Sequence, residues 1–551
     1  MARLRGAGYD VWIPALLLVA SILIRFRTVI TRAYAQDDFF FAYTAWLRST
    51  AKVPLRDYYL ANFTPLAEAF APLFRRFPES FLPMDIARIV MAAVGLLLLW
   101  ATACVTRRLG ASLAWTLTTL NVVSWHPAFM SHIGDVRSDQ LMALFLLLCI
   151  GELLEERRPV RPAVAGFWFG MAGAIAYKIA IASPLLAVAV ILACRPRWFR
   201  ALLGFGAAAA APPLLYFGIR VAIDGPRTVM AVWKDLFGAV TTGASHNHAT
   251  LLSNAAQAPV ATLFLLLGIV GMFLPQDLDP RTAVRRRLYT ALVLAFAAFY
   301  LITNPFFYPY NFVIFMPLLA PGVLGVTAVL RSPGLRRATA VLVAASALMG
   351  GIDRAQFVTL YTSEPQEQVV KWIWTATEKD DAVFDWQGMA VGRPNIYHWW
   401  HFSGLQPRYL GGWYSVADEI RRAQVKLILV NYRLGFLSQP DQQWMRSHFV
   451  SIDSCMLAPG WAFKGEDVRR GVAFEAFLTD AAYRVQPGAV PGLFIDGQPV
   501  TPVVRLAAGR HVLTSSPGAP IPANVALFYS TPKREATRPP CLERTLIAWY
   551  F

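Results

Sequence analysis

Two adjacent acids stand directly before a dense aromatic run in the stretch AQDDFFFAYTAWLRST, which begins at Ala35. The preceding segment, residues 11–30, is apolar enough to cross a membrane, so Asp37 and Asp38 are expected at a bilayer surface. A carboxylate pair in that position suits chemistry on a lipid-borne substrate. The alternative is that one acid is only the N-cap of the following helix, which explains one carboxylate better than two.

A second group of charged residues lies in the stretch GDVRSD, just before another apolar run. It places Asp135, Arg137 and Asp139 at the outer end of a predicted membrane span. An ionisable residue at a membrane boundary is costly and is a functional candidate by default. The alternative is an ion pair that only fixes helix packing.

Lys178 is isolated between two short apolar segments. It is either an anchor that extends its ammonium to the membrane surface or a ligand for a lipid phosphate, and the short flanking segments favour the phosphate. Arg56, in the loop after the acidic pair, is a second candidate for that role.

Composition indicates which elements hold these residues. The chain has 551 residues, 56% hydrophobic and 15% charged, and this is more apolar surface than a soluble domain buries. We therefore predict an α-helical polytopic membrane protein. About eleven apolar runs could cross the membrane, at residues 12–30, 82–105, 109–127, 138–154, 163–177, 179–194, 199–222, 258–275, 286–303, 311–330 and 335–352. The pair around Lys178 could instead be one long kinked span.

Basic residues predict the orientation of these spans. Every second connection carries an arginine cluster, and the intervening short connections carry almost none. By the positive-inside rule the clusters and the N-terminus are cytoplasmic, and the C-terminal region is outside. We expect a bacterial inner membrane with a periplasmic C-terminal domain. Because topology accounts for much of the net charge of +17, a nucleic-acid partner is not expected.

The segments outside the membrane divide into three parts. Residues 31–81 form a long outer loop within the membrane domain, 1–352, and its two amphipathic segments, FFFAYTAWL and PLAEAFAPLF, are predicted to be helices that lie in the headgroup layer. Residues 353–470 show helix and strand patterns in the order of an α/β layer. Residues 471–551 are predicted to be a small β-rich module, whose paired strands around an Asp-Gly turn are similar to the PEGA module.

Cysteine and histidine give little further information. Cys455 and Cys541 could pair in an oxidising compartment or stay as separate thiols. His246 and His248 lack a nearby carboxylate and make a poor metal site, so no metal or other cofactor is predicted.

The order of these features resembles the GT-C glycosyltransferases. The resemblance rests on the acidic pair at the start of the first outer loop, the Pro-Leu of its second amphipathic helix, the Arg-x-Asp before a span, the stretch NPFFYPYNFVIFMPLLAPG, and an external domain after many spans. The branch that contains the protein O-mannosyltransferases and the lipid A aminoarabinose transferases is the most similar. The chain departs from that branch where Asp-Asp replaces Asp-Glu and NFTPL replaces His-Pro-Pro-Leu.

The resemblance implies an enzyme that transfers a sugar, with inversion, from a polyprenyl-phosphate donor to a lipid, polysaccharide or protein acceptor. It implies that Asp37 is the base and that Asp38 positions a hydroxyl, while Asp139 and Arg137 serve as a second acidic site or phosphate ligand. Some branches depend on a divalent metal. Two alternatives stay open: an oligosaccharide or O-antigen transferase that uses a larger lipid-linked glycan, and a transporter or flippase for lipid-linked sugars. Transporters generally place their polar groups near the midplane, whereas these collect at the outer ends of the spans.

Overall fold

The first part of the chain is helical. The computed structural model describes residues 8–60, 64–155, 159–241, 256–275, 278–303, 309–330, 332–401 and 405–531. Its helices up to residue 360 are α1 (Tyr9–Thr28), α2 (Gln36–Ser49), α3 (Pro65–Arg76), α4 (Leu82–Arg108), α5 (Leu113–Ser124), α6 (Pro127–His132), α7 (Ser138–Leu153), α8 (Pro162–Ile175), α9 (Ser183–Ala193), α10 (Trp198–Asp224), α11 (Pro226–Thr241), α12 (Pro259–Gly271), α13 (Pro280–Thr303), α14 (Phe312–Leu319), α15 (Val326–Val329) and α16 (Pro333–Leu360).

Several of these helices are suited to a membrane. Within the described residues, five helical segments are long and apolar enough to cross one: α1, α4, Arg195–Asp224, Phe312–Val329 and α16. Shorter apolar helices lie at Pro162–Ile175, Tyr177–Ala193 and Pro259–Gly271. Helix is present at every one of the predicted apolar runs. A helical multi-pass membrane domain is therefore confirmed, whereas the number of eleven spans and their orientation stay predictions.

Glycines allow two of the apolar helices to pack closely. Gly166 and Gly170, four residues apart on α8, face the backbone of α10, and a Cβ at either position would overlap the carbonyl of Phe205 or of Ala209. Small residues at this spacing let two membrane helices approach with their backbones in contact. Helices α8 and α10 thus form one rigid pair.

The outer loop between α1 and α4 contains the two predicted helices, α2 and α3. Helix α2 follows Ala35, whose backbone is extended, and α3 begins with Pro65, a residue favoured at the first helical position. The apolar face of α2 is covered by protein, since the Phe40 ring packs against those of Trp399 and Trp400 at centroid distances of 5.7 and 4.5 Å. The prediction that this face lies in the headgroup layer is wrong, because the C-terminal domain buries it.

The C-terminal domain combines helices with one sheet. Its elements are α17 (Glu364–Ala376), β1 (Val383–Phe384), α18 (Gln406–Leu410), α19 (Val416–Ala423), β2 (Leu427–Leu429), α20 (Gln439–His448), β3 (Phe449–Asp453), β4 (Met456–Lys464), α21 (Gly465–Arg470), β5 (Val472–Gln486), β6 (Leu493–Ile495), β7 (Gln498–Pro499), β8 (Val503–Ser515) and β9 (Asn524–Tyr529).

Strand pairing follows both predicted patterns. The two helix-then-strand repeats place β1 and β2 side by side and parallel, as helical crossovers do, and the remaining pairs are antiparallel. Strands β6 and β7 pair around Asp496 and Gly497, which both have positive φ, as a tight hairpin turn requires.

The sheet order is β1-β2-β4-β9-β5-β8-β6-β7, with β3 on β4. Strand β4, which precedes residue 471, pairs with strand β9, which follows it, so the sheet includes residues from both sides of that position. The division at that residue stays a prediction, since the two parts share strands of one sheet.

Candidate active site

Asp38 is a buried structural residue at the start of α2. Its Oδ2 accepts a hydrogen bond from the backbone N–H of Ala35, 2.9 Å away, and its Oδ1 accepts one from that of Val136 at 2.6 Å. Arg88 of α4 donates from Nη2 and Nε to Oδ2 at 2.9 and 3.2 Å. A carboxylate in the first turn that reaches back to the residue before the helix stabilises the helix start. Asp38 therefore joins α2, α4 and the segment before α7.

Asp37, next to Asp38, forms an ion pair with Arg137 through Oδ2. Arg137 also contacts Asp139, with Nη2 3.0 Å from Oδ2, and Lys178 pairs with the other oxygen of Asp139. Four charged residues from three separate stretches of sequence are thus connected in the order Asp37, Arg137, Asp139, Lys178. We call this group the acidic chain.

Exposure differs along the acidic chain. The side chains at its two ends, Asp37 and Lys178, are each 28% exposed, whereas Asp139 between them is only 5% exposed. Arg137 is held from a third side by the ring of Tyr310, whose centroid is 3.3 Å from the guanidinium carbon. One carboxylate and one ammonium are therefore accessible at the ends of a buried connection.

Asp135 has structural partners of its own. Its carboxylate pairs with Arg32, which follows α1, and lies 2.7 Å from Nδ1 of His132. Burial works against ionisation of this carboxyl, but Arg32 and His132 outweigh burial and hold its pKa below the ordinary value. Asp135 thereby fastens the end of α1 to the turn before α7, which is the helix-packing alternative considered above.

Arg56 is not part of the acidic chain. Its side chain is mostly exposed, and its guanidinium pairs with the neighbouring Asp57 at 2.8 Å. Among the residues predicted from the sequence, the structure thus brings Asp37, Arg137, Asp139 and Lys178 together and places Asp38, Asp135 and Arg56 elsewhere.

Two arginines that contact the start of α2 were not singled out from the sequence. Arg88 is a cation inside an apolar run, and the rule that singled out Asp139 would also have found it. Arg433, of the C-terminal domain, donates to Oε1 of Gln36 at 2.9 Å, and its guanidinium lies over the Trp400 ring. No local sequence signal links Arg433 to Gln36, because the two are far apart in the chain.

The residues of the acidic chain are arranged for acid–base chemistry and not for metal coordination. Both of its carboxylates already face a cation, since Arg137 contacts Asp37 and Asp139. In the ranges that the structure describes, no three His, Cys, Asp or Glu side chains converge as metal ligands. His246 and His248 lie outside the described residues, as does Cys541, for which both pairing with Cys455 and a separate thiol were left open.

No protein-family profile matches the chain, and no curated protein matches it either. Several solved structures match the chain. ArnT from Cupriavidus metallidurans bound to undecaprenyl phosphate matches with a TM-score of 0.52 and 13% identity over 82% of this chain and 98% of ArnT. The oligosaccharyltransferase from Archaeoglobus fulgidus in the apo form matches with a TM-score of 0.51 and 12% identity over 80% of this chain and 73% of the transferase.

Both of these proteins are GT-C glycosyltransferases. The likeness extends over the membrane helices and into the C-terminal domain, since it covers about four fifths of the chain. The resemblance read from the acidic pair and the order of the spans is therefore confirmed for the architecture: the chain has the GT-C fold.

Proposed function

We propose that the protein is an inverting glycosyltransferase that moves a sugar from a polyprenyl-phosphate donor to a lipid, polysaccharide or protein acceptor at the outer face of the membrane. The observation that carries this proposal is the acidic chain, which exposes one carboxylate and one ammonium at opposite ends. A displacement at a sugar carbon needs these two groups. The GT-C fold, shared with an ArnT bound to undecaprenyl phosphate, supports a lipid-linked donor.

Asp37 is the base in this proposal. An acceptor hydroxyl is a weak nucleophile, and a carboxylate within hydrogen-bond reach takes its proton as the new bond forms. Arg137 contacts Oδ2 of Asp37, so Oδ1 is the oxygen that faces the acceptor. The ion pair fixes the direction of the Asp37 carboxylate.

Lys178 serves the leaving group. The acceptor oxygen forms a bond to the anomeric carbon, the bond from that carbon to the phosphate oxygen breaks, and the polyprenyl phosphate leaves with the electron pair. The charge that develops on the phosphate is stabilised by a nearby cation. Lys178, held by Asp139 at the open end of the acidic chain, supplies that cation.

The test is transfer by the purified full-length protein in lipid nanodiscs. A panel of polyprenyl-phosphate monosaccharides is combined with lipid A, oligosaccharide and peptide acceptors, and the release of polyprenyl phosphate is followed. Asp37→Asn keeps the size of the side chain but removes the proton acceptor, so transfer should fall by about 10²-fold or more. The melting temperature should hardly change.

Asp57→Asn is the matched control, because Asp57 is an acid of the same outer loop that pairs with exposed Arg56. This variant should transfer at the rate of the unmodified protein. Full activity of Asp37→Asn would contradict the proposal, and so would an unmodified protein that releases polyprenyl phosphate from no donor in the panel.

A further inference from the structure

A second polar group lies where the loop after α2 meets the C-terminal domain. It contains Tyr59, Tyr397, His398, Trp413 and Tyr414, and we call it the His398 cluster. The backbone N–H of Tyr59 donates to the carbonyl of Tyr397 at 2.8 Å, so both parts of the molecule build the cluster. None of its residues belongs to the acidic chain.

Aromatic rings surround the imidazole of His398. The Tyr414 ring is stacked on it, with centroids 3.8 Å apart and planes at 8°. The rings of Trp413 and Tyr59 lie 4.8 and 4.9 Å from it. Trp413 is 36% exposed, so the cluster opens to the surface of the protein.

Glu419 determines which nitrogen of His398 carries the proton. One oxygen of Glu419 lies 2.5 Å from Nδ1, and the other accepts the backbone N–H of His398 at 2.9 Å. A carboxylate can only accept at Nδ1, so Nδ1 carries a proton, and Nε2 is an acceptor whenever the ring is neutral. The cluster therefore holds an acceptor nitrogen in a fixed direction.

Nε2 has no partner for that acceptor function. His398 is 7% exposed, and within the described ranges its Nε2 makes no hydrogen bond. Buried polar atoms are bonded in the great majority of cases, and an exception calls for a ligand or a bound water. A buried nitrogen without a partner, beside one open tryptophan, points to a binding site.

We propose that the His398 cluster binds a saccharide. A sugar ring supplies hydroxyls that donate to Nε2, and its C–H face packs on an aromatic ring such as that of Trp413. The choice of a saccharide rests on the proposed function, whereas the unpaired nitrogen and the exposed ring are independent of that function.

The position of the His398 cluster indicates the size of the substrate. Trp399 and Trp400 follow His398 directly and pack on Phe40, one turn of α2 after Asp37. A saccharide at His398 is thus held by the same segment that covers the start of α2. The substrate we infer is a glycan of more than one sugar, with one unit at the acidic chain and another at the His398 cluster.

Binding of methyl glycosides and short oligosaccharides to the full-length protein tests this inference. The protein is placed in lipid nanodiscs, because maltoside detergents would compete, and binding is followed by saturation-transfer NMR. The unmodified protein should bind members of the panel. Trp413→Ala and His398→Phe should each weaken that binding at least tenfold, and His398→Gln, whose side-chain oxygen can replace Nε2 as an acceptor, should recover part of it.

Phe436→Ala is the control, since Phe436 is an exposed aromatic residue of the same domain outside the cluster. It should bind like the unmodified protein. Binding is measured without a donor and without transfer, which separates this inference from the proposed function. If a polyprenyl-phosphate-linked sugar displaces the glycoside, the cluster holds the donor's glycan; if both stay bound, it holds the acceptor's. No binding by any glycoside, or equal binding by Trp413→Ala and His398→Phe, would overturn the inference.

Discussion

The two ends of α2 carry ionic groups with different designs. At its start, Asp37 opens the acidic chain, which runs through Arg137 to Lys178. At its end, Arg48 pairs with Asp224 of α10 at 2.8 Å and lies 3.4 Å from Glu68 of α3. Arg220, one turn before Asp224, contacts the same two acids. We call this second group the outer clamp; it consists of Arg48, Glu68, Arg220 and Asp224.

Charge balance does not separate the two groups, since each has two acids and two cations. The two groups differ in how their members are connected and in how far their side chains are exposed. In the outer clamp both acids meet both cations, and none of the four side chains is more than 20% exposed. In the acidic chain, Asp37 and Lys178 each pair with one charged residue among those that the structure describes, and each is partly exposed. A closed ring of charges holds helices together, whereas an open chain leaves groups for a substrate.

The largest expected effect comes from opening the outer clamp. Asp224→Asn leaves the buried guanidiniums of Arg48 and Arg220 short of a charge partner, and removing one member of a buried ionic group costs about 3–5 kcal/mol of stability. We expect a clear drop in the melting temperature in nanodiscs, with transfer per folded molecule retained. Asp418→Asn, at a largely exposed acid paired with Arg421, is the control. An unchanged melting temperature in Asp224→Asn would show that the clamp does not stabilise the fold.

Asp38→Asn should resemble the clamp variant rather than its neighbour Asp37→Asn. It removes the charge partner of Arg88, whose side chain is fully buried, so we expect a loss of about 3 kcal/mol in stability and a low yield of folded protein. Arg88→Met together with Asp38→Asn should recover part of that loss. A normal melting temperature with lost transfer would instead give Asp38 a catalytic role.

A smaller effect is expected at the far end of the acidic chain. Lys178→Ala removes the cation offered to the donor phosphate, and a charge-assisted hydrogen bond of this kind is worth about 2 kcal/mol, so kcat/KM for the donor should fall at least tenfold. Lys178→Arg should restore most of the donor use. Steady-state kinetics at varied donor concentration measure this effect. Unchanged kcat and KM in the alanine variant would contradict phosphate binding and would indicate that Lys178 only anchors its segment at the membrane surface.

The smallest effect is expected from a pair outside both groups. Asp496, in the β6–β7 turn, is held by His511 at 2.6 Å, and this hydrogen bond lowers its pKa. Because the pKa is lower in the folded chain, the contribution to stability is present above the ordinary carboxyl pKa and is lost as pH falls through the lowered value. The pair is exposed, so Asp496→Asn should cost less than about 1 kcal/mol at pH 7. Melting temperatures of Asp496→Asn and of the unmodified protein at pH 7 and pH 3 measure this contribution. A loss of stability as large as that expected for Asp224→Asn would contradict the link between burial and stability.

Local patterns predicted much of the fold. Apolar runs placed the membrane helices, helix and strand patterns predicted an α/β layer in the region where β1 and β2 pair in parallel, and the Asp-Gly turn predicted the hairpin of β6 and β7. These features depend on neighbours in the sequence. The amphipathic pattern of α2 identified its apolar face correctly but not the domain that covers it, because periodicity carries no information about the partner.

The candidate site was predicted in part for the same reason. The acid at position 37 and the Arg-x-Asp before α7 were visible as motifs, but their connection through Arg137 joins residues 100 positions apart. Asp38 and Asp37 look alike in the sequence, and only Arg88, in another helix, distinguishes them. Arg56 drew attention as a cation in the outer loop, yet the adjacent Asp57 was its partner.

The contact between Arg433 and Gln36 has a consequence for how the molecule is made. Roughly 400 residues separate the two, and at about 5–20 residues per second the ribosome needs on the order of 20–80 s to synthesise that interval. Throughout this time the aromatic face of α2 lacks Trp399, Trp400 and Arg433 to cover it. The site around Asp37 is therefore completed only when the last third of the chain has been synthesised and has packed against α2.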